Sequence, residues 1–268
     1  MDLSAGDPVT GPVKAGDLLW TPTPERVAGA NMTAFTGWLK ETRGLEFTNY
    51  PDLWQWSVTE TDAFWQAVWD YSDIVAAGQP SAVLGRREMP GAEWFPGARL
   101  NYAENVMRKE APGEVALYYH SETVPVTPMY WDEFGPAVRT LATRLRELGV
   151  KPGMRVASTL PNIPQAVIAM LATTSIGAIW TSVSPDFGWR GVLDRFRQLQ
   201  PKVLICTGGY TYNGKAYDRS GELRQIIEDL TCLEHVIYLP FGDVPAPAAD
   251  AKSWPELLAR PPDRKSVV

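Results

Sequence analysis

The sequence predicts a doubly wound α/β fold with a mostly parallel sheet, preceded by an irregular, helical, Trp-rich N-terminal extension. Three observations carry that expectation. From Glu114 onward, short apolar runs alternate with amphipathic stretches, the pattern of strands joined by crossover helices. The run from Lys202 to Thr207 is almost continuously apolar, as in a strand buried on both faces of a parallel sheet. Seven of the eleven tryptophans (Trp20, Trp38, Trp54, Trp56, Trp65, Trp69 and Trp94) fall within the first 110 residues, which sets that segment apart.

The elements follow in order. Between the early tryptophans run short helical stretches such as Thr61 to Tyr71, where Phe64, Trp65, Val68 and Trp69 form one apolar stripe. A packed surface against the main domain is the expected role, since a few aromatic rings bury enough area to hold an irregular extension. Glu114 to His120 and Thr123 to Thr127 read as strands joined by a tight turn at Ser121-Glu122. Trp131, Phe134, Val138, Leu141, Leu145 and Leu148 recur at helical spacing, with Gly149 as the stop. Arg155 to Leu160 is a short strand, and Asn162 is placed to cap a helix with Pro164 in its first turn. Gly177 closes that helix and Ala178 to Val183 is the next strand. A helix follows Asp186 with Trp189, Val192, Leu193, Phe196 and Leu199 on one face, ending at Pro201. The Lys202–Thr207 strand, a helix from about Gly221 to Leu230, a strand from His235 to Leu239 and a helical turn from Trp254 to Leu258 complete the series.

Composition narrows the function. The 268 residues are 45% hydrophobic and 21% charged with a net charge of −6 and no basic block, so nucleic acid is not expected as a partner. A small anionic ligand can still be held locally by a few lysines, arginines and helix N-termini. No apolar run reaches the roughly 18 residues of a membrane span, and the start of the chain lacks a signal-peptide pattern, so the expected compartment is the cytoplasm. Cys206 and Cys232 have no metal-ligand or redox spacing and read as free thiols. His120 and His235 lie far apart on expected strands, so no Ser-His-Asp or metal site is assembled from them. Gly208-Gly209 lacks the dinucleotide-binding spacing, and Gly214-Lys215 lacks the upstream glycine of a Walker loop.

Two stretches stand out beyond the fold. Gly177 to Gly188 runs from the C-terminal end of an expected parallel strand into a helix N-terminus, where open α/β sheets bind ligands. Gly209-Tyr210-Thr211-Tyr212-Asn213-Gly214-Lys215 forms a loop just past the following strand. Together with Trp94-Phe95-Pro96-Gly97-Ala98-Arg99-Leu100-Asn101-Tyr102-Ala103-Glu104-Asn105, and with Leu19-Trp20-Thr21-Pro22 upstream, they resemble the acetoacetyl-CoA synthetase family within the adenylate-forming acyl-CoA synthetases. The likeness runs in consistent order from about residue 18 to 262.

The resemblance implies an acetoacetate–CoA ligase using ATP, Mg²⁺ and CoA, with acetoacetate as substrate. It divides the chain into an extension over 1–110, an incomplete first α/β part of the AMP-binding domain over 111–262, and a non-native tail over 263–268. That tail departs from the family pattern and reads like a translated sequencing-library adapter, which implies a longer native product. Tyr212, Asn213, Gly214 and Lys215 fall where acetyl-CoA synthetases carry an Arg-Gly-Gly-Lys-type CoA-nucleotide loop. In a separate stretch, Trp180 to Phe187, Pro185 and Asp186 stand where those relatives carry a glycine pair, which favours acetoacetate over acetate. The coenzyme candidates are thus Tyr212, Asn213, Gly214, Lys215, Asp186 and Phe187, with no catalytic or metal-binding residue in this stretch. The family's Ser-Gly-Thr-Thr-Gly-type phosphate loop and catalytic lysine have no counterpart among these residues. The chain by itself is therefore expected to lack adenylation activity and to hold no cofactor tightly. The alternative is a non-catalytic α/β module with at most weak CoA or nucleotide binding.

Overall fold

The computed structural model describes residues 12–259, which divide into two compact units meeting at Arg99/Leu100. The expected tail at 263–268 lies outside the described residues.

The first unit is helical. It comprises α1 (Pro24–Ala28), α2 (Asn31–Arg43), α3 (Tyr50–Thr59) and α4 (Thr61–Tyr71). Asn49 caps α3 by accepting the Asp52 N–H at 3.0 Å, and Gly44, left-handed at φ 68°, ends α2. Phe35, Leu39, Leu53 and Ala67 form this unit's core, with Phe64 and Val68 of the predicted stripe packed against it. Edge-to-face ring pairs such as Phe35–Phe64 and Trp56–Phe64 give this small core much of its area.

The second unit opens with α5 (Tyr102–Met107) and an antiparallel pair, β1 (Val115–Tyr119) and β2 (Thr127–Tyr130). Here one expectation is corrected: the second strand starts at Thr127, not Thr123. The Ser121 hydroxyl accepts the N–H groups of Thr123 and Val124, and Pro125 has no N–H for a ladder, so residues 121–126 are spent on the turn. Next come α6 (Trp131–Glu147), β3 (Arg155–Thr159), α7 (Pro164–Ser175), β4 (Ile179–Ser182), α8 (Trp189–Leu199) and β5 (Val203–Thr207). They are followed by β6 (Gly209–Tyr212), β7 (Lys215–Asp218), α9 (Ser220–Asp229), β8 (His235–Leu239), β9 (Lys252–Ser253) and α10 (Trp254–Leu258). A second correction concerns α7: Ile163, not Asn162, is its N-cap, and no side chain bonds there. Pro164, having no N–H, removes one of the donors a cap would serve.

The main sheet is parallel, in the order β4-β3-β5-β8-β9. Strand residues alternate between two clusters. Val156, Val203, Ile205 and Ile237 join the cluster built on α6, α7 and α10, while Ala157, Leu204, Cys206 and Val236 join the one built on α8 and α9. Period-two alternation between two buried faces is what makes the β5 sequence continuously apolar, and every residue of β5 is buried. Phe196 of α8 is 0% exposed, a burial contributing roughly 1.5–3 kcal/mol. Arg144 of α6, also buried, spends its guanidinium on the Leu257 carbonyl at 3.2 Å and on both carboxylate oxygens of Glu147. No helix among the described residues is long and apolar enough to cross a membrane.

Candidate functional site

The strand order reverses between β3 and β5, the place where open α/β sheets receive ligands. Here that place is closed. Phe187, Val192, Leu223 and Ile226 fill it, leaving a cavity of about 20 Å³ beside Thr159 and Thr207 at the strand ends. That is room for about one water, and the buried Thr159 hydroxyl has no protein partner. The Gly177–Gly188 stretch runs, as expected, from a parallel strand into a helix, but that strand, β4, lies at the edge of the sheet.

Outside the closed crevice, the segment after β5 is a hairpin rather than a loop. β6 and β7 pair with Gly209 opposite Asp218, Tyr210 opposite Tyr217, Thr211 opposite Ala216 and Tyr212 opposite Lys215. Asn213 and Gly214 make the two-residue turn, at φ 51° and 70°. Positive φ at both positions is the requirement of a type I′ hairpin turn, and Asn-Gly is its strongest sequence signal, so this element was readable from the dipeptide. Alternation along the strands puts Tyr210, Tyr212, Lys215 and Tyr217 on one face. The Tyr210 and Tyr217 rings stack 5.2 Å apart, and the Lys215 ammonium lies 5.3 Å from the Tyr217 ring centroid. Tyr212 is 65% exposed. The face therefore offers solvent a cation and a flat ring side by side.

The other predicted pair sits on the β4–α8 connection. Asp186 is exposed, and Phe187 is 44% exposed with the Arg195 guanidinium 5.2 Å from its ring centroid. Beside it an open cavity of about 400 Å³ is lined by Thr181, Ser182, Ser184, Phe187 and Arg195. Arg219, which sequence reasoning missed, links the two segments: it follows β7 directly and donates to the Phe187 carbonyl at 2.9 Å, while its other nitrogen meets Glu222 at 3.1 Å. Asp218 accepts the Ser220 N–H at 2.8 Å, which holds its carboxyl below the ordinary range. Nothing in the spacing of an isolated arginine marks it as such a bridge.

Both histidines are satisfied structurally, His120 Nδ1 lying 2.8 Å from the Val124 carbonyl and His235 Nε2 3.1 Å from that of Leu148. Both thiols are free. Among the described residues no group of three His, Cys, Asp or Glu side chains could hold a metal ion.

A parallel sheet with helices on both faces and a cationic, aromatic hairpin beyond its C-terminal edge defines a protein of the doubly wound α/β class. The sequence matches the family of AMP-binding enzymes over residues 104–267, and the chain belongs to that family. Residues 50–106 match the acetyl-coenzyme A synthetase N-terminus. Among individual proteins, the chain is 42% identical over 212 residues to an acetoacetyl-coenzyme A synthetase of Rhizobium meliloti (strain 1021), covering 79% of this chain and 32% of that protein. It is 39% identical to an acetoacetyl-CoA synthetase of Macaca fascicularis, covering 84% of this chain and 34% of the relative. The solved acetoacetyl-CoA synthetase from Streptomyces lividans superposes with a TM-score of 0.83 at 44% identity, over 90% of this chain and 38% of that one. The chain thus spans about a third of the length of the relatives it matches.

Proposed function

We propose that the enzyme to which this stretch belongs is an acetoacetate–CoA ligase, and that the β6–β7 hairpin, with Asp186 and Phe187 nearby, receives the nucleotide end of CoA. The observation that carries the reading is the shared face of Tyr212 and Lys215. An ammonium beside an exposed ring suits a phosphate next to a base, the ring by stacking and the ammonium by charge. Where related loops carry arginine, Tyr212 stands, so the phosphate meets a point charge in place of a two-pronged clamp.

In the reaction, acetoacetate attacks the α-phosphate of ATP with Mg²⁺ present, pyrophosphate leaves, and the CoA thiol then displaces AMP. The described residues do not fit the first half of that chemistry. They supply no cluster for a metal, and the sequence contains no Gly/Ser/Thr-rich phosphate loop. Charge building on phosphate oxygens needs such donors. The 268 residues by themselves are therefore assigned a binding role and no adenylation.

Two assays test this. Calorimetry with CoA and with NAD should show saturable binding of CoA alone, and acetoacetate-dependent exchange between ATP and pyrophosphate should be absent. Failure to bind CoA sinks the hairpin assignment, and measurable exchange sinks the assignment of a binding role alone.

A further inference from the structure

The tip of the β6–β7 hairpin already holds an anion, and the protein supplies it. Glu122 projects from the β1–β2 turn, 91 residues earlier than Asn213. One carboxylate oxygen accepts the Asn213 N–H at 2.6 Å and the other the Gly214 N–H at 2.7 Å. Successive N–H groups presented by a turn are an anion-binding arrangement, and here both are taken.

The β1–β2 turn does not need Glu122 for itself. Ser121 closes it through its hydroxyl and by donating its N–H to the Val124 carbonyl at 3.0 Å. Those three bonds leave the Glu122 side chain committed to the hairpin. The hairpin does need an external hold, since two strands of four residues are marginal alone in water.

We propose that Glu122 is a positioning residue for the coenzyme loop: its carboxylate fills the backbone anion site of the Asn213-Gly214 turn and fixes Tyr212 and Lys215 on either side of it. The proposal rests on the reading of that loop as the CoA site. It assigns recognition of the ligand phosphate to the Lys215 ammonium, because the two turn N–H groups are occupied. Glu122 itself does not touch the ligand. Its effect is preorganisation, which raises affinity by removing the ordering cost from the binding step.

The test uses this chain with Glu122→Gln, Lys215→Met and the double substitution. Amide hydrogen exchange at Asn213 and Gly214 should quicken in Glu122→Gln while the β5 amides stay protected. CoA affinity by calorimetry should fall about tenfold in Glu122→Gln. In the Lys215→Met background, Glu122→Gln should cost less than it does alone, because the part of its effect that acts through Lys215 is already gone. A purely structural defect would spread to β5 protection and add in the double variant, and either result overturns the proposal. Unchanged or tighter CoA binding by Glu122→Gln overturns it as well, because the carboxylate would then be a bystander or a competitor. If the unsubstituted chain ignores CoA, the coenzyme reading fails and the ligand half of this proposal with it. Exchange at the two amides still decides whether Glu122 holds the turn.

Discussion

Gly209 lies so close to Tyr217 that a methyl group on its α-carbon would overlap the Tyr217 carbonyl oxygen, and would come within 2.8 Å of the Phe241 ring. The hairpin that carries Tyr212 and Lys215 is therefore anchored at its base by the absence of a side chain. Backbone cannot yield there as the end of a flexible side chain can. Gly209→Ala should destabilise the chain by about 1–3 kcal/mol, the usual cost of overpacking, measured as a lower urea midpoint. An unchanged midpoint would mean that the base of the hairpin is looser than its packing implies.

Leu204 and Ile205 are neighbours in β5 and face opposite clusters, each 0% exposed. Leu204→Ala and Ile205→Ala should each cost about 2–5 kcal/mol in denaturant unfolding. A strand covered on one face only would show one large loss and one small. Two comparable losses are the energetic mark of an interior parallel strand.

The Cys206 thiol sits in the same strand, where burial pushes it up to about 12, while Cys232 is partly exposed. A thiol-specific reagent should modify Cys232 in the folded chain and reach Cys206 only after unfolding, because the thiolate is the reactive form. Labelling counted by intact mass checks this. Cys206 stays neutral in the folded state above its ordinary value of 9.0, so its contribution to stability is complete below pH 9.0 and is lost as pH rises toward 12.

Glu122 titrates the other way. Bonds from Gly214 and Asn213 lower its carboxyl below 4.5, so its hold on the turn is present above pH 4.5 and is lost as pH falls through the lowered value. Side-chain carboxyl NMR should place its midpoint below 4.5, and Glu122→Gln should abolish the accompanying acid shift of the Gly214 amide. A midpoint at or above 4.5 would contradict the bonds described.

Much of this fold was legible because burial leaves a period. β8 begins and ends at His235 and Leu239 as the pattern gives, and α10 at Trp254 and Leu258. β5 differs from its expected range by one residue, Lys202, whose backbone still bonds Arg155 and His235 and whose side chain meets Glu234 at 2.5 Å. What periodicity could not reveal were contacts with no local signature. The Glu122 carboxylate reaches a turn 91 residues away, and Arg219 reaches Phe187 across 32. The closing of the β3–β5 crevice by Phe187 and Val192 is likewise a property of packing in space, although each residue reads locally as an ordinary loop or helix position. The hairpin differs in kind, because Asn213-Gly214 announces a type I′ turn in the sequence itself.

The most direct test of the account is an amide-resolved NMR titration of the 268-residue chain with CoA. The account predicts saturable shifts concentrated at Tyr212–Lys215 and extending to Phe187 through Arg219, and their disappearance in Lys215→Met. Shifts centred instead on Thr159 and Thr207 at the sheet's crevice, or none at all, would contradict it.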